Sequence, residues 1–329
     1  MTKPKIYVGT AGWSYKDWID SFYTGKQTKD FDWLEFYSQY FNTVEVNASY
    51  YTYISPKTVE GWIKKVEERN DFLFSIKLHQ DFTHKRNFTK EQTEAVKSNL
   101  KMLDNANRLG GLLVQFPYSF SLTKENANHV KLLLETFNDY EKFVEVRHKS
   151  WLSPAPKASV NEPTHTPSLS IKGSADGSAP EIETMAERFY KFLAKNKSSL
   201  CAIDQPEIGE AVEFKPIAVG DNLYIRFHGR NEKAWRQSLN NFSKNQTYEQ
   251  QSERYDYLYS PGELLEIERA IKEVLNTVKK VFIILNNHPH GNAIANAFEL
   301  LHLLTERIKV NIPFTTLKSY PRLTKISLN

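Results

Sequence analysis

NLYIRFHGR (222–230) sets apolar Leu223, Ile225 and Phe227 at alternate positions, puts Arg226 and His228 between and after them, and then breaks on Gly229. Period-two alternation over so short a run predicts a strand. Seven other runs of similar length also end in polar or charged residues: IYVGTAGW (6–13), TVEVNASY (43–50), LFSIKLH (73–79), GLLVQFP (111–117), KFVEVRH (142–148), LCAIDQP (200–206) and KVFIILNNH (280–288). Between the strands, residues 32–41, 56–70, 91–108, 124–140, 182–196, 261–280 and 292–308 carry apolar side chains at helical spacing, the stripe a helix needs to lie on a sheet. Alternating strands and helices predict a parallel sheet, and eight such units predict a TIM-like (β/α)8 barrel of the α/β class. Ser55-Pro56, Thr89 and Ser260-Pro261 read as helix starts. The crossover 207–221 is the exception and reads as an irregular connection.

Length and composition agree with one barrel domain over 1–329, since 40% hydrophobic and 13% aromatic residues supply a sizeable core. The start, MTKPKIYVGT, holds no signal-like apolar run and no stretch elsewhere approaches a membrane span, so a cytoplasmic location without membrane contact is the expectation. The single Cys201 excludes an internal disulfide and a cysteine zinc site, and its apolar strand makes it an inert buried thiol. The 43 basic and 39 acidic residues leave a net charge of +4, compatible with a small anionic ligand but only weak support for nucleic acid. Oligomeric state has no signal in the sequence.

Two connections exceed ordinary barrel loops. Residues 152–181, after the fifth strand, are rich in Ser, Pro, Ala and Gly and predict a flexible insertion. Residues 231–259, after the seventh, interleave Trp235, Tyr248, Tyr255, Tyr257 and Tyr259 with Lys233, Arg236 and Arg254. A lid over the strand ends and a loop packed on its own barrel are both open readings.

Helices cover the outer face of a barrel, so that face is apolar and the intervening side chains enter the lumen. This parity sends Glu45, Asn47, Lys77, His79, Glu145, Arg147, Arg226 and His228 inward. Gln115 and Asp204 follow from the same parity, while Asn286 and Asn287 stay ambiguous. A lumen filled with acids and bases departs from the branched apolar layers usual in barrels, and each unpaired buried ion costs several kcal/mol, on the order of 3 or more. Two readings follow: an internally neutralised plug, or a polar cup open at the top. In the cup, Arg147 and Arg226 suit a carboxylate or phosphate. Glu45 or Glu145 serves as general base and His228 as acid or base, with Asp204 in the same acidic set. Lys77 stabilises negative charge or forms an imine, the weaker version because arginines lower its pKa while carboxylates raise it. A divalent metal on His79, Glu145, Asp204 and His228 is the chemical competitor, not favoured because no HxH or HExxH spacing supports it; no cofactor is expected. The HPHG run (288–291) reads as a turn into a helix N-terminus. Phosphate loops, dinucleotide fingerprints and nucleophile elbows do not occur.

At VGTAGWSYKDW…FY (8–23), FNTVEVNASYY (41–51), FSIKLHQDFTH (74–84), LGGLLVQFP (109–117), FVEVRHKSW (143–151), YIRFHGR (224–230), YSPGEL (259–264) and FIILNNHPHGNAIANA (282–297) the chain resembles the DUF72 (YecE-like) family. The resemblance implies a TIM-barrel-like fold and supplies no reaction. Its strand-end residues correspond to Gly12, Trp13, Tyr15, Glu45, Asn47, Lys77, Gln115, Glu145, Arg147, Trp151, Asp204, Arg226, His228, Gly229 and Asn287. Trp13, Tyr15, Asn47, His79, Gln115, Asn286 and Asn287 join the two arginines as expected substrate-binding residues. The stretch 152–181 looks longer and more polar than the family's usual connection. The first functional expectation is an acid–base enzyme for a small anionic substrate, phosphorylated or sugar-like. A metal-dependent phosphoesterase or nucleic-acid-processing barrel and a non-catalytic metabolite-binding module are the alternatives.

Overall fold

The computed structural model describes residues 3–24, 30–152, 184–240, 247, 250 and 252–328. Eight strands, β1 (Lys5–Ala11), β2 (Thr43–Val46), β3 (Leu73–Lys77), β4 (Leu109–Gln115), β5 (Lys142–Glu145), β6 (Ser198–Asp204), β7 (Asn222–Phe227) and β8 (Lys280–Leu285), form a closed barrel in chain order. Every neighbouring pair is parallel, including β8 with β1. Closure removes the sheet edges and leaves the strand C-termini facing one mouth.

The helices are α1 (Trp33–Tyr37), α2 (Pro56–Lys65), α3 (Gln80–Thr83), α4 (Lys90–Asn105), α5 (Lys124–Thr136), α6 (Met185–Lys195), α7 (Glu232–Asn240), α8 (Pro261–Leu275), α9 (Asn292–Leu304) and α10 (Phe314–Ser319). Three expected starts are caps. The Ser55 hydroxyl accepts from Thr58 N at α2, and Thr89 and Ser260 form reciprocal capping boxes with Gln92 and Glu263 at α4 and α8. No helix lies between β6 and β7, in agreement with the irregular reading of 207–221. The long connections after β5 and β7 are present as expected. The flexibility expected of 152–181 falls, apart from Leu152, outside the described residues, as do 241–246, 248–249 and 251 of the second connection.

Val44, Phe74, Val114, Val144, Leu223, Ile225 and Ile283 face the helices in one apolar cluster, while Tyr7, Leu113, Phe143, Cys201, Tyr224, Phe282 and Ile284 belong to another. The second is the lumen, because Phe143 on β5 and Phe282 on β8 are not on adjacent strands yet lie 5.4 Å apart. Tyr7 stacks on Phe282 at 4.9 Å and Phe143 on Tyr224 at 4.3 Å. These rings make an apolar floor on which the polar residues above them rest. Cys201 is buried among them.

Among the described residues, no helix is long and apolar enough to cross a membrane. The floor should carry stability rather than chemistry. Phe282→Ala is expected to cost about 3–5 kcal/mol by leaving a cavity, read as a shifted midpoint in urea unfolding; a cost under about 1 kcal/mol would show that the rings do not form a packed layer.

Candidate active site at the barrel mouth

Above the aromatic floor, β7 sends the buried Arg226 across the lumen between two acids. Its Nη1 donates to Glu145 Oε2 at 2.6 Å and its Nη2 to Glu45 Oε1 at 2.8 Å. Tyr224 O–H donates to Glu45 Oε2 at 3.0 Å, and Arg147 Nε donates to Glu145 Oε1 at 2.6 Å. All four carboxylate oxygens are therefore occupied. Burial raises the Glu145 pKa, but the charges of Arg226 and Arg147 outweigh it and hold the carboxyl well below its usual range. Two acids face two arginines, so this tier is close to neutral. It has the character of the internally neutralised plug.

His228 closes the tier from β7. Burial first, then Arg147 and Arg226, push its pKa well below the ordinary value, against the opposing pull of Glu145. Its Nε2 lies 3.1 Å from Arg147 Nη2, and a guanidinium only donates, so Nε2 accepts and the neutral ring carries its proton on Nδ1. The amide nitrogen Nδ2 of Asn286 lies 2.9 Å from Nδ1; two donors cannot pair, so the Asn286 amide serves this tautomer once it is turned to present its oxygen to that proton.

A cavity of about 180 Å³ opens above this tier, lined among others by Tyr15, Asn47, Lys77, Arg254, Tyr255 and Asn286. Lys77 is half-buried and its Nζ stands 4.3 Å over the Tyr50 ring. Burial is the largest cause lowering its pKa and Arg226 the next; Glu45 and Glu145 oppose them, Arg147 adds to them, and the result is about 7. Arg254 lies over the rings of Trp235 and Tyr255, 5.4 and 4.8 Å from their centroids. Among the described residues it has no carboxylate partner. Asn47 leaves a buried Oδ1 without a donor. Tyr15 donates its O–H to Ala11 O at 2.6 Å and stacks on His288 at 4.6 Å, which fixes one wall.

Four expected residues stand elsewhere. Asp204 does not enter the lumen: Cys201 and Ile203 do, and Asp204 turns outward to accept from Arg230 Nε at 3.0 Å and Tyr259 O–H at 2.6 Å. The parity reading fails there because residues 200–203, LCAI, are apolar at every position, so alternation carries no sign. His79 lies beyond the end of β3, where alternation stops. Its Nδ1 accepts from Asp81 N at 3.2 Å, capping α3, and its ring stacks on Tyr53 at 4.1 Å. Asn287 likewise follows the end of β8 and donates to Tyr257 O at 2.8 Å and Asn296 Oδ1 at 2.9 Å. Trp13 packs edge-on against Trp62 at 5.7 Å, outside the cavity. Gln115 keeps lumen parity, but its amide donates to Phe116 O at 2.6 Å. The four residues of the metal alternative are thus not gathered: Glu145 and His228 share the lumen, while His79 and Asp204 do not.

The sequence matches the family described as "protein of unknown function DUF72" over residues 7–166 and 182–319. The chain belongs to the DUF72 family. It is similar to UPF0759 protein YunF of Bacillus subtilis (strain 168), 30% identical over 307 residues that cover 91% of this chain and 94% of that one. A DUF72 family protein of Thermotoga maritima MSB8 shares the fold with a TM-score of 0.69 and 27% identity, covering 92% of this chain and 99% of the other. Another from Enterococcus faecalis V583 gives 0.70 at 23% identity, covering 91% and 95%. Residues 167–181, between the two matched stretches, fall inside the Ser/Pro-rich insertion.

Within this DUF72 barrel, some residues of the family resemblance hold the frame. Trp151 is buried and donates to Phe120 O at 2.7 Å, and Gly229, at φ +83°, gives its N–H to Tyr259 O–H at 3.0 Å. A Cβ on Gly229 would lie 2.7 Å from that of Tyr257. The sequence reading passed over Tyr50, Arg254, Tyr255 and His288 as site residues. Arg254 and Tyr255 were signalled by the aromatic and basic interleaving of 231–259.

Glu145 should be a structural anchor of the lower tier. Glu145→Gln is expected to destabilise the protein by about 3–5 kcal/mol, because it breaks a buried ion network. A depressed carboxyl pKa contributes stability above its unfolded value and loses it as pH falls through the folded one, so the wild-type advantage should shrink on acidification below the ordinary 4.5. Urea unfolding of both proteins at several pH values checks this; a variant as stable as wild type at neutral pH would contradict it.

Proposed function

We propose that this barrel is an acid–base enzyme that takes a small anionic substrate, phosphorylated or sugar-like, in the cavity at the strand C-termini. The observation that carries the reading is Lys77, an amine with a pKa of about 7 in the wall of that cavity. A general base works best when its pKa lies near the operating pH. Ordinary lysines stay charged there.

The neighbours complete a division of labour. Arg254, on its aromatic support, binds the anionic group of the substrate through charge-assisted hydrogen bonds. Asn47 offers its unpartnered Oδ1 to a substrate hydroxyl, and Asn286 keeps His228 neutral and oriented. Glu45, Glu145, Arg147 and Arg226 act below as a charge-balanced layer, and the Lys77 pKa is lowered by burial first and by Arg226 next. A cavity of about 180 Å³ suits a metabolite smaller than the drug-sized ligands that fill pockets of roughly 300 Å³ or more.

Thermal-shift screening with sugar phosphates, carboxylates and their neutral counterparts tests this reading. Anions are expected to raise the melting temperature, a ligand at a hundred times its Kd adding about 2.7 kcal/mol, and Arg254→Gln should remove the response. Equal shifts from neutral compounds, or a response unchanged in Arg254→Gln, would overturn it. A stabilising anion should then be consumed by wild type, faster as pH rises through about 7 and Lys77 gives up its proton, and not by Lys77→Met. Its recovery unchanged after long incubation would make the protein a binding module.

A further inference from the structure

We propose that Lys77 is a covalent site, its amine condensing with the carbonyl of a small anionic aldehyde or ketone held in the mouth cavity. This rests on the reading of the cavity as an anion site and names the substrate class within it. The geometry that carries it is the isolation of the amine. Lys77 stands at the C-terminal end of β3, between Glu45 on β2 and Glu145 on β5 in the lumen, where a lysine would ordinarily be claimed by a carboxylate. Neither acid is available. Glu145 gives both oxygens to arginines and Glu45 gives its two to Arg226 and Tyr224. Among the described residues Lys77 Nζ makes no hydrogen bond or ion pair, only its contact with the Tyr50 ring. A lysine kept for stability alone would be paired. This one is shielded from pairing and opened to a cavity instead.

The second observation is the company it keeps there. Arg254 lines the same cavity without a carboxylate partner among the described residues, and Asn47 Oδ1 lacks a donor. A guanidinium for a carboxylate or phosphate, an amine for a carbonyl and an amide oxygen for a hydroxyl fit one molecule. Desolvation beside cationic groups brings the pKa of the amine down to about 7, so that a large share of it is neutral at that pH, the state in which it is a nucleophile.

In the reaction the nitrogen lone pair of Lys77 forms a bond to the carbonyl carbon, and the carbonyl π electrons move to oxygen, which takes up a proton. The amine proton released to solvent leaves a neutral carbinolamine, whose hydroxyl donates to Asn47 Oδ1. Protonation of that hydroxyl expels water and leaves the iminium. Amine, carbonyl compound and one proton thus become iminium and water. The cationic nitrogen then draws electrons from an adjacent C–H or C–C bond.

Borohydride reduction tests the step, because it converts an iminium into a stable secondary amine. The full chain is incubated with glyoxylate, with glyceraldehyde 3-phosphate and with neutral glycolaldehyde, reduced, and mapped by peptide mass spectrometry. The expected result is one adduct on Lys77 with the two anionic probes, absent in Lys77→Arg. In Arg254→Gln it should be about tenfold weaker at limiting probe, the loss of one charge-assisted contact. Circular dichroism melting of both variants confirms that they are folded. Adducts spread over surface lysines, or labelling of Lys77 that neither distinguishes glycolaldehyde nor responds to Arg254→Gln, would overturn the proposal. If anions raise the melting temperature through Arg254 but no adduct forms on Lys77, the covalent step fails and the anion site stands.

Discussion

Arg226 is the constraint on which the upper half of the barrel depends. A guanidinium buried in a barrel lumen is costly unless it is paired, and here its two Nη groups span from β7 to acids on β2 and β5, while Nε has no partner among the described residues. The bridge reaches across the barrel rather than along it. It brings together strands that share no hydrogen bonds and so helps hold the spacing of the mouth. By occupying both glutamates it also fixes the electrostatics above it: the Glu145 carboxyl is held well below its usual range, His228 stays neutral, and Lys77 meets cations without a free carboxylate.

The outward-facing polar residues serve the same mouth from behind. Asp204 and Asn287, excluded from the lumen, bond to the segment 257–259 through Tyr259 O–H and Tyr257 O. Gly229, in the left-handed region where a side chain would meet Tyr257, lets the chain pass close enough for the Tyr259 contact. That segment follows Arg254 and Tyr255, which line the cavity. Two residues that the sequence offers for the site thus act as anchors for the rim, bonded two to five positions along the chain from Arg254 and Tyr255.

What was legible in the sequence follows from periodicity. NLYIRFHGR, TVEVNASY and KFVEVRH alternate strongly enough to place Arg226, His228, Glu45, Glu145 and Arg147 in one lumen, and the helix starts at Ser55, Thr89 and Ser260 are true caps. LCAIDQP is apolar on both faces, so its parity is undetermined and Asp204 was misplaced. His79 stands two residues past the end of β3, where its side chain answers to the cap of α3 rather than to alternation, and Asn287, whose parity is ambiguous in the sequence, stands two past the end of β8 and bonds to Tyr257 and Asn296. Arg254 belongs to an aromatic and basic run that the sequence does signal, but its place at the mouth is not written there. Its approach to the mouth depends on how a long connection folds back, a tertiary fact with no local period.

The division of the lumen into a neutral lower tier and an open upper one makes a single demand on one nitrogen. Nuclear magnetic resonance titration of protein carrying isotope-labelled lysine, with the Lys77 signal assigned by its loss in Lys77→Arg, measures that nitrogen directly. The expected midpoint is about 7. A Lys77 that titrates at the ordinary 10.5 would contradict the account.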